Sequence, residues 1–180
     1  MRVITGSARG RKLESPRGTD TRPTSEMVKE AVMSMIQFEI EGCSFLDLYA
    51  GCGQMGIEAL SRGAHKCTFV DSSREACVLI RRNLEHTGFL PPSLVAQSDV
   101  QTWLRTARGP FDIAFIDPPY NQAVTAGFLE RLAELMRDSG IILIECDNRE
   151  DMPSTAGKLS LIREYKYGKT KIVRYEVQQL

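Results

Sequence analysis

The sequence predicts an α/β fold: a Rossmann-like, mostly parallel sheet with helices on both faces. From Ser44 onward, short apolar runs alternate with amphipathic helical ones, a pattern typical of parallel sheets. The run 141–145 is almost entirely apolar, as expected of a strand buried on both faces. Two more strand-like segments flank Lys166-Tyr167-Gly168-Lys169 and predict an antiparallel hairpin at the C-terminus.

The individual elements follow from the spacing of apolar residues. Seven strands are predicted, at residues 45–49, 67–70, 94–97, 111–116, 141–145, 159–165 and 171–177. Between them, helices are predicted over 56–62, 74–85, 100–105 and 128–136. Three glycines follow these helices and are expected to end them: Gly63, Gly88 and Gly140.

The first 40 residues precede this alternation. Segments 2–5 and 12–15 flank a glycine-containing turn and predict a small hairpin or a pair of edge strands. A helix follows, with Thr24 as its expected N-cap and Glu26 in its first turn. Its apolar face is predicted to hold Met27, Val28, Ala31, Val32, Met35 and Ile36.

Composition is that of a globular protein, with 180 residues, 42% of them apolar and 26% charged. We expect one domain over residues 1–180, in which residues 1–40 form an N-terminal extension. No run of 18 apolar residues and no apolar leader occur, which predicts a cytoplasmic protein without a membrane span. The five cysteines include no C-x-x-C pair, so neither a disulfide framework nor a metal site is indicated.

Charge is unevenly distributed although the net charge is zero. Residues 1–22 hold six basic and two acidic groups, and the rest of the chain holds 17 basic and 21 acidic groups. A basic N-terminal extension on a mildly acidic body suggests a phosphate-binding surface, with Arg9, Arg11 and Lys12 as its candidate contacts. An ordinary solvated charged hairpin is the alternative interpretation.

A glycine-rich loop follows the first predicted strand. Gly51-Cys52-Gly53-Gln54-Met55-Gly56 has the form G-x-G-x-x-G, and Asp71 comes 20 residues after Gly51 at the end of the second strand. In a βαβ unit this is a nucleoside-binding pattern, in which Asp71 accepts hydrogen bonds from the ribose hydroxyls.

Two cofactors compete for such a loop. NAD carries a pyrophosphate, which the carboxylate of Asp47 at the end of the first strand would repel. S-adenosylmethionine has no phosphate, and its amino and sulfonium groups are positive. Asp99 ends the third strand, where the adenine amine would lie. Three acids at successive strand ends favour S-adenosylmethionine.

The fourth strand ends in Asp117-Pro118-Pro119-Tyr120. Two prolines end ladder pairing and keep the chain extended. The Asp117 carboxylate and the Pro118 carbonyl could accept the two N–H groups of an exocyclic base amine, while Tyr120 stacks on the ring. Asp117 is also the best candidate to receive the amine proton. A Pro-Pro turn with a surface Asp is the alternative.

These residues resemble a class I S-adenosylmethionine-dependent methyltransferase. More narrowly, they resemble the bacterial family that methylates guanine N2 in 16S rRNA (RsmD type). The matching segments are Asp20-Thr21-Arg22-Pro23-Thr24-Ser25-Glu26, Asp47-Leu48-Tyr49-Ala50-Gly51, Asp117-Pro118-Pro119-Tyr120, Arg2-Val3-Ile4-Thr5-Gly6, Gly10-Arg11-Lys12-Leu13 and Tyr167-Gly168-Lys169-Thr170. The resemblance covers essentially the whole chain, and the first of these segments is the most specific because generic methyltransferases lack it.

The resemblance implies a 16S rRNA (guanine(966)-N2)-methyltransferase with a seven-stranded sheet. It also implies a monomer that acts on the small ribosomal subunit or its precursor and that extends its methyltransferase domain with a substrate-binding N-terminal region. The implied cofactor-binding residues are Asp47, Ala50, Gly51, Gly53, Asp71, Ser72, Asp99 and Val100. The implied substrate-binding residues are Arg9, Arg11, Lys12, Arg22, Thr24 and Pro119, and the implied catalytic residues are Asp117, Pro118 and Tyr120. Ile144-Glu145-Cys146-Asp147 departs from the acid-histidine pair of many members, so no role is assigned to it.

Other functions fit some of these features. An adenine-N6 methyltransferase acting on DNA or RNA would use the same Asp117 motif, since adenine also carries an exocyclic NH2. An RNA-binding assembly factor could hold S-adenosylmethionine without turnover, although the intact motif argues against this. An NAD-dependent oxidoreductase is disfavoured by Asp47.

Overall fold

The computed structural model describes residues 1–16, 25–119 and 122–178. The strands are β1 (Ser44–Leu48), β2 (Lys66–Asp71), β3 (Ser93–Gln97), β4 (Phe111–Ile116), β5 (Met136–Asp147), β6 (Thr155–Ala156), β7 (Leu159–Tyr167) and β8 (Thr170–Val177). The helices are α1 (Glu26–Met35), α2 (Gln54–Ser61), α3 (Arg74–Thr87), α4 (Val100–Thr106) and α5 (Ala126–Ala133). Among the described residues, no helix has the length and apolar character needed to cross a membrane.

All eight strands form one sheet in the order β3-β2-β1-β4-β5-β8-β7-β6. Strands β1 to β5 pair in parallel, and β8, β7 and β6 continue the sheet in antiparallel pairs. The α/β fold, the parallel sheet and the C-terminal hairpin are therefore confirmed. The seven predicted strands are all present, and the two-residue β6 adds an eighth at the edge.

Helices cover both faces because successive side chains of each strand point to opposite sides. Phe45 of β1 packs in a core with the N-terminal residues and with α1, α2 and α3. The next residue, Leu46, packs in a second core with α4 and α5. The two cores place the N-terminal region and α4 on opposite faces of the sheet.

The N-terminal residues 1–16, which we call the arm, form the predicted hairpin. Arg2 and Lys12 make an antiparallel bridge, and the Val3 N–H donates to the Arg11 carbonyl at 3.0 Å. One strand of the arm lies against α2, where the N–H groups of Ile4 and Thr5 donate to the Glu58 carboxylate at 2.8 and 2.9 Å. The arm is thus docked onto the body and does not project from it.

Helix α1 begins one residue later than predicted. Its N-cap is Ser25, whose hydroxyl accepts the Val28 N–H at 3.2 Å, so the assignment of Thr24 as the cap was wrong. Ser and Thr are both favoured caps, and the sequence does not distinguish two adjacent candidates. The buried face of α1 is also rotated from the predicted one: Met27 is 65% exposed, whereas Lys29 is fully buried. Lys29 can be buried because oxygen atoms in the interior accept hydrogen bonds from its ammonium group.

The boundary between α5 and β5 differs most from the prediction. The helix ends at Ala133, and Met136, predicted as its last residue, is the first residue of β5. Gly140 lies inside the strand and does not end a helix. Pairing with β4 accounts for the difference, since the Phe111 N–H donates to the Leu135 carbonyl and Phe111 pairs with Met136.

Candidate active site

The strand order reverses between β1 and β4. Strands β2 and β3 lie on one side of β1, and β4 and β5 lie on the other. In open α/β sheets, ligands bind at such a switch point, outside the carboxyl ends of the strands. The Asp117 N–H donates to the Leu48 carbonyl at 3.4 Å and joins the two strand ends. The segments that follow β1 and β4 therefore border the same crevice.

The glycine loop leaves β1 through a backbone that favours glycine. Gly51 and Gly53 have φ values of +57° and +79°. A Cβ atom at Gly51 would meet no other heavy atom within 4 Å, so the loop borders open space at this point. A Cβ atom at Gly56 would lie 2.3 Å from the Phe69 ring, so this glycine lets α2 pack closely on β2. Ala50, at the start of the loop, is buried, and its N–H donates to the Val70 carbonyl at 3.2 Å.

Asp47 lies beneath this loop and is only 2% exposed. Its carboxylate accepts the Gly56 N–H at 2.9 Å, which fixes the first turn of α2 over the end of β1. Burial raises the pKa of Asp47 well above its usual range, and the negative charges of Asp117 and Asp71 raise it further. These carboxylates are therefore close enough to repel one another across the crevice.

Asp71 ends β2 and supports the loop from the side. One carboxylate oxygen accepts the Gly51 N–H at 2.9 Å, and the other accepts the Ser73 N–H at 2.8 Å. Carboxylate oxygens have further lone pairs, so these bonds leave acceptor capacity for ligand hydroxyls. Ser72, which follows Asp71, is exposed. Asp71 lies where the nucleoside pattern predicts the ribose contact, and Ser72 lies beside it.

Asp99 follows β3 and caps α4. Its carboxylate accepts the Thr102 N–H at 2.9 Å, while Val100 beside it is buried in the core. Burial raises the pKa of the Tyr49 phenol, and the negative charge of Asp99 raises it further, so this ring lies near Asp99. Asp99, the predicted adenine contact, therefore lies near Tyr49, the residue that follows β1.

Asp117 and Pro118 are half-buried and follow β4 directly, while Pro119 is exposed. The Pro119 carbonyl accepts the Gln122 N–H at 2.8 Å. Tyr120 lies outside the described residues. The structure therefore brings Asp117 to the glycine loop and Asp47, as the sequence predicted.

The predicted phosphate contacts lie apart from the crevice. Arg9 is in the turn of the arm, where the neighbouring Ser7 N–H donates to the Ser61 carbonyl at the C-terminal end of α2. The Arg11 guanidinium donates to the His86 carbonyl near the end of α3. Because α2 and α3 run from the crevice toward the opposite edge of the sheet, these cations lie toward that edge. Lys12 is exposed on the same hairpin. Arg22 and Thr24 lie outside the described residues.

Two residues of interest were not identified from the sequence. Tyr49 has a φ of +59°, which is uncommon for a residue with a bulky side chain and occurs here beside the glycine loop. No sequence signal indicates this backbone conformation. Asn83 is 1% exposed and bonds to both the arm and the glycine loop. Its position among the apolar residues of α3 is a signal that could have identified it.

The donor set of the crevice suits a particular kind of cofactor. Mutually repelling carboxylates beneath an open glycine loop would be stabilised by a ligand with positive groups. The same carboxylates would repel a pyrophosphate. The residues therefore fit S-adenosylmethionine, whose sulfonium and amino groups are positive, and fit a dinucleotide poorly.

Comparisons with known proteins agree with this geometry. The model of the family described as "Conserved hypothetical protein 95" matches residues 1–176. The chain is 37% identical over 181 residues to "Putative rRNA methyltransferase YlbH" of Bacillus subtilis, and 98% of each chain is covered. It is 31% identical to "Ribosomal RNA small subunit methyltransferase D" of Escherichia coli, covering 98% of this chain and 89% of the relative. A solved structure, "Putative methyltransferase yhhF from Escherichia coli", is 29% identical with a TM-score of 0.89, covering 100% of this chain and 99% of the other.

Proposed function

We propose that this chain, which belongs to the family described as conserved hypothetical protein 95, transfers a methyl group from S-adenosylmethionine to the exocyclic N2 of a guanine in 16S rRNA. One observation carries the proposal. Asp117-Pro118-Pro119 lies at the switch point beside the glycine loop, in a chain that matches named rRNA methyltransferases over 98% of its length.

The cofactor supplies an electrophilic methyl group bound to a positive sulfur. The chain's own residues hold and orient it: the backbone of Gly51 and Gly53 approaches the ligand, and Asp71 accepts from the ribose hydroxyls. Asp47 offsets positive charge from beneath the loop, and Asp99 lies at the adenine end with Ser72 and Val100 beside the nucleoside. Ala50 lies at the start of the loop, between β1 and Gly51.

The acceptor base is held on the other side of the crevice. Asp117 and the Pro118 carbonyl accept hydrogen bonds from the exocyclic amine and aim its lone pair at the methyl carbon, while Pro119 and Tyr120 flank the ring. Positioning and charge placement of this kind provide much of the rate in group-transfer enzymes. As the new C–N bond forms, the bond between the methyl carbon and the cofactor sulfur would break and leave neutral S-adenosylhomocysteine. Asp117 takes the proton that the nitrogen then releases.

Residues 1–40 form the substrate-binding extension of a single methyltransferase domain. Arg9, Arg11 and Lys12 contact RNA phosphates, and Arg22 and Thr24 also take part in substrate binding. The chain acts as a monomer, because one copy carries the cofactor loop, the Asp117 motif and the arm. The reaction takes place in the cytoplasm, where ribosomal subunits are made.

The choice of base and subunit is tested by one experiment. The protein is incubated with methyl-labelled S-adenosylmethionine and with purified small or large ribosomal subunits from a strain that lacks this activity. Mass spectrometry of the digested RNA is expected to find N2-methylguanosine in the small subunit only. N6-methyladenosine would support the adenine alternative, label in the large subunit would reject the substrate, and no label in any RNA would reject the enzymatic function.

A further inference from the structure

One buried amide, on the side chain of Asn83, joins the arm to the glycine loop. Its Oδ1 accepts the Glu14 N–H at 2.8 Å, and its Nδ2 donates to the Glu14 carbonyl at 3.1 Å and to the Cys52 carbonyl at 3.0 Å. Both N–H donors of the amide are thus used. Asn83 is 1% exposed, so water does not compete for these bonds.

The two segments that Asn83 joins have different roles in the proposed reaction. Cys52 stands between the two glycines of the cofactor loop, so its carbonyl moves with that loop. Glu14 is on the returning strand of the arm, which leads toward Arg22 and Thr24. Asn83 pairs with the backbone of Glu14 through both its N–H and its carbonyl, as a neighbouring β-strand would.

A second contact joins the same two segments. The Met1 sulfur lies 3.4 Å from the Cys52 Sγ, and the Leu13 N–H donates to the Met1 carbonyl at 3.1 Å. Elsewhere, the arm is held by α2 through Glu58 and Ser61, which do not belong to the glycine loop. The end of the arm opposite its turn is therefore the end attached to the loop.

We propose that Asn83 is a positioning residue that couples the cofactor loop to the arm, so that cofactor binding fixes the arm in its RNA-binding position. This inference rests on the proposed function for its RNA half only. Coupling between two sites is reciprocal, so RNA bound to the arm would tighten cofactor binding by the same factor.

Asn83→Asp is the informative change. A carboxylate can still accept the Glu14 N–H, but it has no donor for the Cys52 carbonyl and places negative charge beside it. The Asn83 hydrogen bond to the loop is lost, while the Met1–Cys52 contact and the bonds of the arm to α2 remain. Thr87→Val is the matched control: Thr87 is also buried in α3, and its hydroxyl bonds within the helix, to the Asn83 and Leu84 carbonyls at 2.7 and 3.3 Å.

Hydrogen exchange tests the coupling without RNA or turnover. In the unmutated chain and in Thr87→Val, saturating S-adenosylhomocysteine is expected to slow exchange of the Glu14 amide by about tenfold, a typical size for coupling between sites. In Asn83→Asp, the ligand is expected to leave Glu14 exchange unchanged. Ligand-dependent protection that survives in a folded Asn83→Asp variant would overturn the proposal. If the variant does not fold, absence of protection in the unmutated chain would overturn it.

Steady-state kinetics provide the second readout. With small ribosomal subunits, Asn83→Asp is expected to raise KM for RNA about tenfold with less than about a threefold change in kcat, whereas Thr87→Val changes neither. An unchanged KM for RNA in Asn83→Asp would show that the coupling through Asn83 does not affect RNA binding. A wild-type protein that binds S-adenosylhomocysteine but methylates no RNA would reject the proposed function and leave the exchange test intact.

Discussion

Asp47 determines the charge balance of the crevice. It is buried, with the Gly56 N–H as a hydrogen-bond donor and the carboxylates of Asp71 and Asp117 nearby. Burial raises the pKa of Asp47 well above its ordinary value of 3.8. The ionised form is therefore unfavourable until a positive ligand arrives, and cofactor binding is expected to be accompanied by loss of a proton from Asp47.

The pH dependence of stability follows from this raised pKa. A carboxyl whose pKa is higher in the folded than in the unfolded chain stabilises the fold fully below the unfolded value, and this contribution is lost as pH rises through the folded value. Asp47→Asn cannot ionise, so it does not lose this stability as the pH rises. Without ligand, Asp47→Asn should have a melting temperature a few degrees above that of the unmutated chain at pH 7, since each kcal/mol of stability corresponds to about 2–4 °C. Near pH 4 the two melting temperatures should be nearly equal. Calorimetric scans at the two pH values measure this, and a lower melting temperature at pH 7 would contradict it.

Asp47→Asn should also lower the affinity for the cofactor. Removing one hydrogen bond to a charged partner corresponds to about a 10–100-fold loss of affinity. Titration calorimetry of S-adenosylmethionine in two buffers with different ionisation enthalpies should detect proton release for the unmutated chain and none for Asp47→Asn. Equal proton release in both would place the titrating group elsewhere.

Asp117 is expected to act on the acceptor base rather than on the cofactor. Asp117→Asn should retain S-adenosylmethionine affinity within about threefold and lower kcat at least about a hundredfold, as expected when a proton acceptor is removed. Asp138→Asn is the matched control, because Asp138 is exposed at the far end of the sheet. Radiolabel transfer to small subunits measures both variants. Normal turnover in Asp117→Asn would remove Asp117 from the mechanism.

At the scale of elements, a buried ion pair holds the arm, α1 and α2 together. The Lys29 ammonium lies 3.6 Å from the Glu58 carboxylate and donates to the Arg2 carbonyl at 2.7 Å, and both side chains are fully buried. Glu58 also accepts from Arg62 at 3.0 Å and from two backbone N–H groups of the arm. Desolvation lowers the pKa of Lys29 despite this pairing, so the ammonium depends on its acceptors.

Breaking this pair should destabilise the whole fold. Glu58→Gln leaves a buried ammonium without its counter-charge, and removal of one partner of a buried pair typically costs about 3–5 kcal/mol. Lys29→Met combined with Glu58→Gln should be less destabilised than Glu58→Gln alone, because the unpaired charge is gone. Urea unfolding of the two single variants and the double variant measures this coupling. Additive effects of the two substitutions would contradict it.

The elements also indicate how much the sequence could predict. Strand β4 was predicted residue for residue, and β1 and β2 within a residue, because a buried parallel strand is apolar over a short, bounded run. The partly exposed edge strand β3 was also predicted within a residue. The end of α5 could not be predicted, because Leu135 and Met136 continue the helical spacing of the residues before them, whereas Met136 pairs with Phe111 of β4. Pairing between segments distant in sequence leaves no local signal.

The positions of the candidate site residues could be predicted to a similar extent. Asp47, Asp71 and Asp117 come directly from strand ends, and topology alone brings such positions together. The hydrogen-bond partners of Lys29 and Asn83 could not be predicted, because they lie in the arm, in α2 and in the glycine loop, far from both residues in sequence. Nor did the sequence indicate that the arm would lie along α2 with its turn toward the opposite edge of the sheet.

At the scale of the whole molecule, the arm extends the candidate interface beyond the crevice. The Ser7 and Ala8 N–H groups in its turn donate to Ser61 at the end of α2, and its returning strand is bound to Asn83. An RNA bound by Arg9 and Arg11 would therefore run along the face of the sheet that carries α2 and α3. The opposite face, with α4 and α5, should be free of RNA.

Salt dependence of binding tests this assignment of faces. Arg9→Ala/Arg11→Ala/Lys12→Ala should lower the slope of log affinity against log salt by about 0.7–0.9 for each phosphate that the arm no longer neutralises. Arg105→Ala/Arg108→Ala/Lys158→Ala removes the same charge on the side of α4 and β6 and should leave the slope unchanged. Filter binding of a 16S rRNA fragment at several salt concentrations measures both. Equal slopes in the wild type and the arm variant would place the RNA elsewhere.

The position of the arm's turn sets a lower limit on the size of an efficient substrate. Helix α2 has eight residues and spans about 12 Å at about 1.5 Å per residue, so the turn lies at least that far from the glycine loop. At about 3.4 Å per stacked nucleotide, this distance corresponds to roughly four nucleotides on one side of the target base. A free nucleoside or a trinucleotide would reach the crevice without reaching the turn of the arm. Recognition would thus depend on the length of the flanking strand as well as on the base that is modified.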